Sequence, residues 1–395
     1  MTLVQEKIAQ AAAILQEQGV DAWLTFVRES GTMPDPCLEL VVGTSCTWQS
    51  AFIITSRGET VAIVGSLDVA NHKDHGYYQE VIGYQESIRP HLLQVLDRLA
   101  PRTIAINFSE SDNMADGLTH GMYLLLLKYL EGTPYRERLV SSERIVAALR
   151  GRKSPSELKA IRDAVELTLR MFTAVGAKLR RGLSEKEVAA LLLEEVAAHG
   201  VELAWDPEMC PSVFTGPESA GAHAGPTDRR IAPGHLLNID FGIRYHDYCS
   251  DLQRTWYFLR PGECQPPEAV VRGFAAVRDA IQLASQALKP GVECWTVDDV
   301  ARRHILSCGF AEYPHALGHQ IGRKAHDGAG VLCPRWERYG NRPYERVEAG
   351  QVYTLEPRVT VPGHGVATIE EIVVVHKTGC EFLSEPQREL YVVQP

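Results

Sequence analysis

Asp240, Asp251, His319, Glu356 and Glu370 are the side chains of this 395-residue sequence whose types and settings could hold metal. NIDFG puts a carboxylate after Leu237 and Ile239, YTLEP puts one after Leu355, and ATIEEIVVV puts one ahead of three valines. Four carboxylates and an imidazole drawn into an interior would repel one another and lose hydration unless something neutralised them. Divalent cations do this, and the number of candidate ligands fits two ions better than one. The chemistry such a cluster would support is metal-assisted hydrolysis.

The elements that carry these residues can be read from local pattern. LLNIDFG and YCSDLQRTWYF flank a tight turn at Tyr245 to Tyr248 and should form an antiparallel hairpin with Asp240 opposite Asp251. YPHALGHQIGRKAHDGAG supplies His315, His319 and His326 among glycines that permit close backbone approach. Their spacing alone does not say which is a ligand. Glu356 follows the strand-like VYTL. Glu370 and Glu371 interrupt an apolar strand, and period-two parity cannot choose between them because both faces are apolar.

These segments belong to a larger pattern. A helix expected over 154–179, opened by the capping box Ser154-Pro155-Ser156-Glu157, leads through Arg181-Gly182 to a second box, Ser184 to Glu187, and a helix stopping at Gly200. A helix over 266–288 leads through Pro290-Gly291 to Thr296-Val297-Asp298-Asp299 and a helix ending at Gly309. Acid-bearing β-patterned sequence follows each pair, at 235–258 and 351–376, which suggests two αα-then-ββ halves with the site between them. Before a boundary near 140–153, the chain reads as a small α/β domain. It has an amphipathic helix at 2–18, strands at 22–27, 51–55, 60–64 and 103–107, and helices at 89–99 and 113–131. Its histidines, His72, His75, His91 and His120, read as surface residues.

Composition limits the function classes. Length favours two domains, 1–150 and 151–395. An apolar share of 45% against 23% charged residues is that of a soluble globular protein. The net charge of −10, with no long basic run, argues against nucleic acid or an anionic membrane as partner. Nine cysteines, scattered singly with no C-x-x-C pair, read as reduced thiols. The N-terminus lacks a basic region followed by an apolar core, so the expectation is a cytoplasmic protein.

The order N-x-D-x-G, S-D-L-x-R-T, H-x-x-G-H-x-x-G-x-x-x-H-D, T-x-E-P and I-E-x-x-V-V-V resembles the pita-bread metallopeptidases, which include methionine aminopeptidase, aminopeptidase P and prolidase. The match spans roughly residues 150–395. The preceding α/β domain resembles that of aminopeptidase P, prolidase and creatinase. The resemblance implies an α/β (α+β) fold with a creatinase-like N-terminal domain and a pseudo-twofold catalytic domain. It implies that Asp240 chelates one metal, that His319 and Glu356 hold the other, and that Asp251 and Glu370 bridge both. It thereby selects Glu370 over Glu371. Glu356 becomes the general base for a metal-bridging water, His223 and His326 stabilise the oxyanion, and His315 contacts substrate. The oxygen-rich ligand set favours manganese, with cobalt, iron or zinc as alternatives. The substrate implied is a short peptide cut at an Xaa-Pro bond by an aminopeptidase or dipeptidase, and the assembly implied is a homodimer.

Two departures bear on specificity. Aminopeptidase P and prolidase usually carry an arginine two residues before the bridging glutamate, where this chain has Thr368. Arg358 follows Glu356-Pro357 where glycine is usual, and Arg323 interrupts the stretch after the histidines; either could restore a positive charge near the substrate, though both are expected as exposed loop residues. Thr368 keeps open a second enzyme reading, the same metals acting on a non-peptide amide or small metabolite. A pita-bread interaction module without activity is the reading from another class, and its usual signature, lost ligands, is absent here.

Overall fold

The computed structural model of this chain describes residues 2–218 and 225–395, so the expectation for His223 lies outside the described residues. The chain divides into two compact units, Met1–Arg150 and Gly151–Pro395.

In the first unit a helix Leu3–Gln18 starts at a Thr2/Gln5 capping box and stops at left-handed Gly19. Six strands form one sheet in the order Glu80–Tyr84, Thr60–Gly65, Ser50–Thr55, Ala22–Val27, Ile104–Ile106, Leu139–Ser141. The central strand is buried throughout because its two faces meet two different cores. Trp23 and Val27 pack with the N-terminal helix, and Leu24 and Phe26 pack with the helices Arg89–Leu99 and His120–Tyr129. The strands Glu80–Tyr84 and Leu139–Ser141 lack the apolar alternation that would have flagged them, since both run along half-exposed edges. The helix expected at 113–131 is instead a single turn, Asn113–Ala115, capped by Asp112, and a separate helix, His120–Tyr129, capped by Thr119. His72 is not a surface residue: it is 3% exposed and its ring lies 5.3 Å from that of Phe52.

The second unit carries the acidic segments. Ser154 and Glu157 close a capping box on the helix Pro155–Gly176, and Ser184 and Glu187 do the same for Glu185–His199. The second helix pair, Glu268–Ala287 and Cys294–Ser307, departs from the sequence pattern at its second start. That helix begins at Cys294 rather than at Thr296, whose hydroxyl donates back to the Glu293 carbonyl at 2.6 Å, and Asp298 grips Arg302 one turn on.

The internal repeat is written in backbone hydrogen bonds. In the first half Gly182 donates to Ile231, Ile231 to Leu183 and Glu185 to Arg229, at 2.9, 2.9 and 3.0 Å. In the second half Gly291 donates to Val347, Val347 to Val292 and Cys294 to Glu345, at 2.8, 2.9 and 3.0 Å. Both glycines sit at φ near +85–90°, a conformation that a side chain would strain. Five residues after Ile231 and Val347 the strands Leu236–Phe241 and Val352–Leu355 begin, so Asp240 and Glu356 occupy equivalent positions. Asp251 and Glu370 correspond as well, each one residue before the returning strand, Leu252–Phe258 or Glu371–Val375. The helix Glu268–Ala287 packs Phe274, Val277 and Ile281 with Val359 and Val361 in one core. That core anchors the far side of the hairpin Arg358–Val361/Gly365–Thr368.

Candidate metal centre

The first pair of acids comes from one antiparallel hairpin. Its turn, His246–Asp247, has φ values of 49° and 66°, the left-handed pair of a two-residue hairpin turn. That turn sets the register, and the register corrects one expectation. Asp240 pairs with Gln253, not with Asp251. Continued past the strand ends, the same register sets Asp251 across from Gly242, diagonal to Asp240 and on the same face. Gly242 has no room for a side chain, since a Cβ would lie 2.1 Å from the Ser250 carbonyl oxygen.

The second pair comes from the strands Val352–Leu355 and Glu371–Val375. Glu370 forms a bridge with Gln253, which joins the two halves at the site. The choice between Glu370 and Glu371 has a physical cause. Glu371 is fully buried against Arg254, with contacts of 3.1 and 3.2 Å, and also accepts from the Gln387 backbone at 2.8 Å. It is committed to an internal ion pair, and Glu370 points the other way.

His319 enters on a short strand, Gly318–His319. Gly318 is required by close approach: a Cβ there would lie 1.9 Å from the Thr354 carbonyl oxygen. His319 Nδ1 lies 3.2 Å from the Gln320 carbonyl oxygen, which can only accept, so the neutral ring presents the Nε2 lone pair to the acids. Nε2 is 3.7 Å from Asp251 Oδ2 and 3.7 Å from Glu356 Oε1, too far for hydrogen bonds. Ligand atoms of Asp251, His319 and Glu370 lie within 4.8 Å of one another. Gln253 Nε2 donates to Glu370 Oε2 at 2.9 Å and approaches Glu356 Oε2 at 3.4 Å.

The electrostatics test whether these residues fit a cation. Burial pushes the Asp240 carboxyl up to about 7. Burial, then Glu370, Asp240 and Glu356, raises Asp251 well above the usual carboxylate range. Burial, then Glu370 and Asp240, raises Glu356, and burial with Asp240 raises Glu370. Asp240 Oδ1 and Glu370 Oε1 are buried with no hydrogen-bond partner. Buried acceptors without donors, beside an imidazole lone pair, are what a cation satisfies. The donor set fits divalent metal.

Arg302 braces the segment that delivers the histidines. It grips Asp298 with two bonds of 2.7 and 2.9 Å and donates to the carbonyls of Tyr313 and His315 at 2.7 and 2.8 Å. Asp298 in turn accepts from the Leu317 backbone at 3.1 Å. Removing one partner of such a buried pair strands the other charge. Arg302→Met is therefore expected to lower stability by about 3–5 kcal/mol and to weaken metal uptake together. Urea unfolding and metal titration check this; a midpoint like the wild type would remove the brace.

Among the other sequence candidates, His326 is exposed and its ring stands 4.1 Å from that of His319. His315 is half-buried, its ring 5.2 Å from that of Tyr313. Arg323 is 7% exposed, ion-paired to Asp247 at 3.3 Å and over the Tyr248 ring, not an exposed loop residue. Arg358 lies half-buried on a strand. Gln253, and Thr354 whose hydroxyl accepts from the His319 backbone at 3.2 Å, have no signal in the local pattern that the sequence analysis used. Gln253 could have been found, since it lies two residues after Asp251 and shares its face by strand alternation.

Comparison with known proteins follows the same outline. The profile of metallopeptidase family M24 matches residues 159–377. An uncharacterized peptidase of Staphylococcus saprophyticus is 28% identical over 96% of this chain and 99% of its own. An Xaa-Pro dipeptidase of Bacillus anthracis superposes with a TM-score of 0.75 at 23% identity, over 99% and 100% of the two chains. An X-Pro aminopeptidase of Thermotoga maritima does so at 0.72 and 24%, over 98% and 99%. At these identities the superpositions establish a shared pita-bread architecture. No described helix is long and apolar enough to cross a membrane.

Proposed function

We propose that this chain, which belongs to metallopeptidase family M24, hydrolyses short peptides at Xaa-Pro bonds using two divalent ions. The observation that carries the reading is end-to-end likeness, including the first unit, to structures named as Xaa-Pro dipeptidase and X-Pro aminopeptidase. Asp240, Asp251, His319, Glu356 and Glu370 would hold the ions. Bound there, the ions supply Lewis acidity and lower the pKa of a water that serves as nucleophile.

The chain's own groups do the rest. Glu356 and Asp240 are the two carboxylates of the four left partly open, with 21% of the Glu356 side chain exposed. Glu356 is placed to take a proton from the attacking water and return it to the leaving nitrogen. A prolyl nitrogen leaves as an amine only when protonated, so this transfer matters more than for a better leaving group. Gln253 holds Glu370 in place from the opposite strand and keeps the acid cluster from splaying. His326, beside His319, donates toward the developing oxyanion, and we assign His223 the same task. His315 contacts substrate. Four oxygen donors to one nitrogen favour manganese over softer-site metals.

The test is hydrolysis of Gly-Pro, Xaa-Pro-Yaa tripeptides and matched peptides without proline by manganese-loaded protein. Cleavage is expected only before proline, with two metal equivalents by elemental analysis. Cleavage of none of them would move the same metal site to a non-peptide amide.

A further inference from the structure

The stretch that carries His315 is held by guanidinium groups. Residues 311–316 lie in no helix or strand, between the helix Cys294–Ser307 and the strand Gly318–His319. Regular backbone pairing does not fix such a stretch, so its polar groups turn to side chains. Arg302 donates to the Tyr313 and His315 carbonyls at 2.7 and 2.8 Å, and Arg338 donates to the Pro314 carbonyl between them at 2.5 Å. Two guanidiniums thus hold successive carbonyls up to His315 itself. The imidazole is oriented in turn by its Nδ1, which donates to the Ala316 carbonyl at 2.7 Å.

Aromatic rings set the two arginines. The Arg302 guanidinium carbon stands 4.0 Å from the centre of the Tyr313 ring and 5.1 Å from that of Trp336. The Arg338 guanidinium carbon stands 4.8 Å from the same Trp336 ring and 4.9 Å from that of Tyr339. Trp336 therefore serves both cations, and it stacks on Tyr339 at 24° across the turn Glu337–Tyr339. A contact of the opposite sense, Arg335 over Trp295 at 4.2 Å, ties the same stretch to the helix that bears Arg302. Arg302 is 6% exposed, and attraction between cation and ring is stronger where water is excluded. The metal ligand nearby is fixed by other means: His319 pairs with Val331 and its backbone donates to Thr354.

We propose that Trp336 and Arg338 are positioning residues for His315, clasping the backbone that presents its imidazole to the substrate. The inference deepens the peptidase reading above and rests on it for the role of His315. A small substrate offers few contacts, so a group that meets it binds better when already ordered. Arg338 acts directly on the Pro314 carbonyl, and Trp336 acts through both guanidiniums. Arg302 keeps its Asp298 pair when either is replaced, so the loss should reach His315 and spare the metal ligands. Substrate binding should then weaken while activation of water does not.

The experiment joins Gly-Pro hydrolysis by manganese-loaded protein to amide hydrogen exchange, read by mass spectrometry over residues 311–318. In Trp336→Leu and Arg338→Met, KM is expected to rise about tenfold, with kcat within about threefold and metal content unchanged. Exchange at residues 315–317 should quicken by about tenfold in the same variants. Trp336→Phe should restore most of both, since a ring remains, and Arg338→Lys a part, since a charge remains. In a His315→Ala background Trp336→Leu should move KM by less than about twofold, because it acts through the missing imidazole. A shift of undiminished size in that background, or an unchanged KM while exchange quickens, overturns the proposal. So does a fall in kcat with loss of metal, which marks a general structural role. If no peptide is cut, the peptidase reading fails by itself. Exchange then decides the clasp: quickened in both variants it stands, and unchanged it falls.

Discussion

Asp251→Ala is expected to abolish manganese-stimulated hydrolysis while leaving a folded protein at low temperature. Asp251 is 7% exposed and faces His319, Glu370 and Glu356 at the centre of the cluster. Its loss removes a proposed shared ligand, so the metal content should fall below two equivalents. Polarisation of carbonyl and water by metal is worth several kcal/mol of transition-state stabilisation. The rate should drop by on the order of a thousandfold or more. The fold has reason to survive, because the substitution also deletes one of four mutually repelling buried charges. Circular dichroism, elemental analysis and the Xaa-Pro assay together decide the matter, and activity like the wild type in this variant would refute a dinuclear site.

Asp240→Asn should do two opposite things: reduce activity to a similar extent and stabilise the metal-free protein. Asp240 is half-buried with one buried, unpartnered oxygen, and its pKa is pushed up to about 7 against an ordinary 3.8. The folded state therefore binds a proton that the unfolded chain releases at lower pH. The contribution is favourable below pH ~4 and is lost as pH rises toward 7, so metal-free stability should decline across that window. The loss for this one group is on the order of 4 kcal/mol. Asparagine cannot ionise, so the variant should melt higher than the wild type at pH 8 in chelator and show a flatter pH trend. Saturating divalent ion should remove the advantage, because binding stabilises only the intact site. A metal-free variant no more stable than wild type at pH 8 would show that the acids are not strained without metal.

Much of this is legible in the sequence itself. The apolar frames around Asp240, Glu356 and Glu370 announced buried charge, and the Ser154 and Ser184 capping boxes marked helix starts. The rest depended on long-range pairing that no local pattern encodes. Gln253 faces Asp240 because a two-residue turn fixes the register. Glu371 is excluded from the cluster because Arg254, far away in sequence, claims it. Arg358 was misjudged for a related reason: a lone arginine after a proline has the look of a loop, and only the pairing with Thr368 makes it a strand residue. His72 was misread because a polar local sequence says nothing about the Phe52 ring across the sheet.

The backbone repeat has a consequence for direction. Position for position, the halves offer Asp240 and Glu356, then Asp251 and Glu370. At the position equivalent to His319 the first half has Phe214, and at the position equivalent to Arg358 it has Gly242. A perfectly duplicated site would accept a peptide in either orientation. At these positions the second half alone carries an imidazole and a guanidinium, which gives the centre a handedness that a duplicated site would lack.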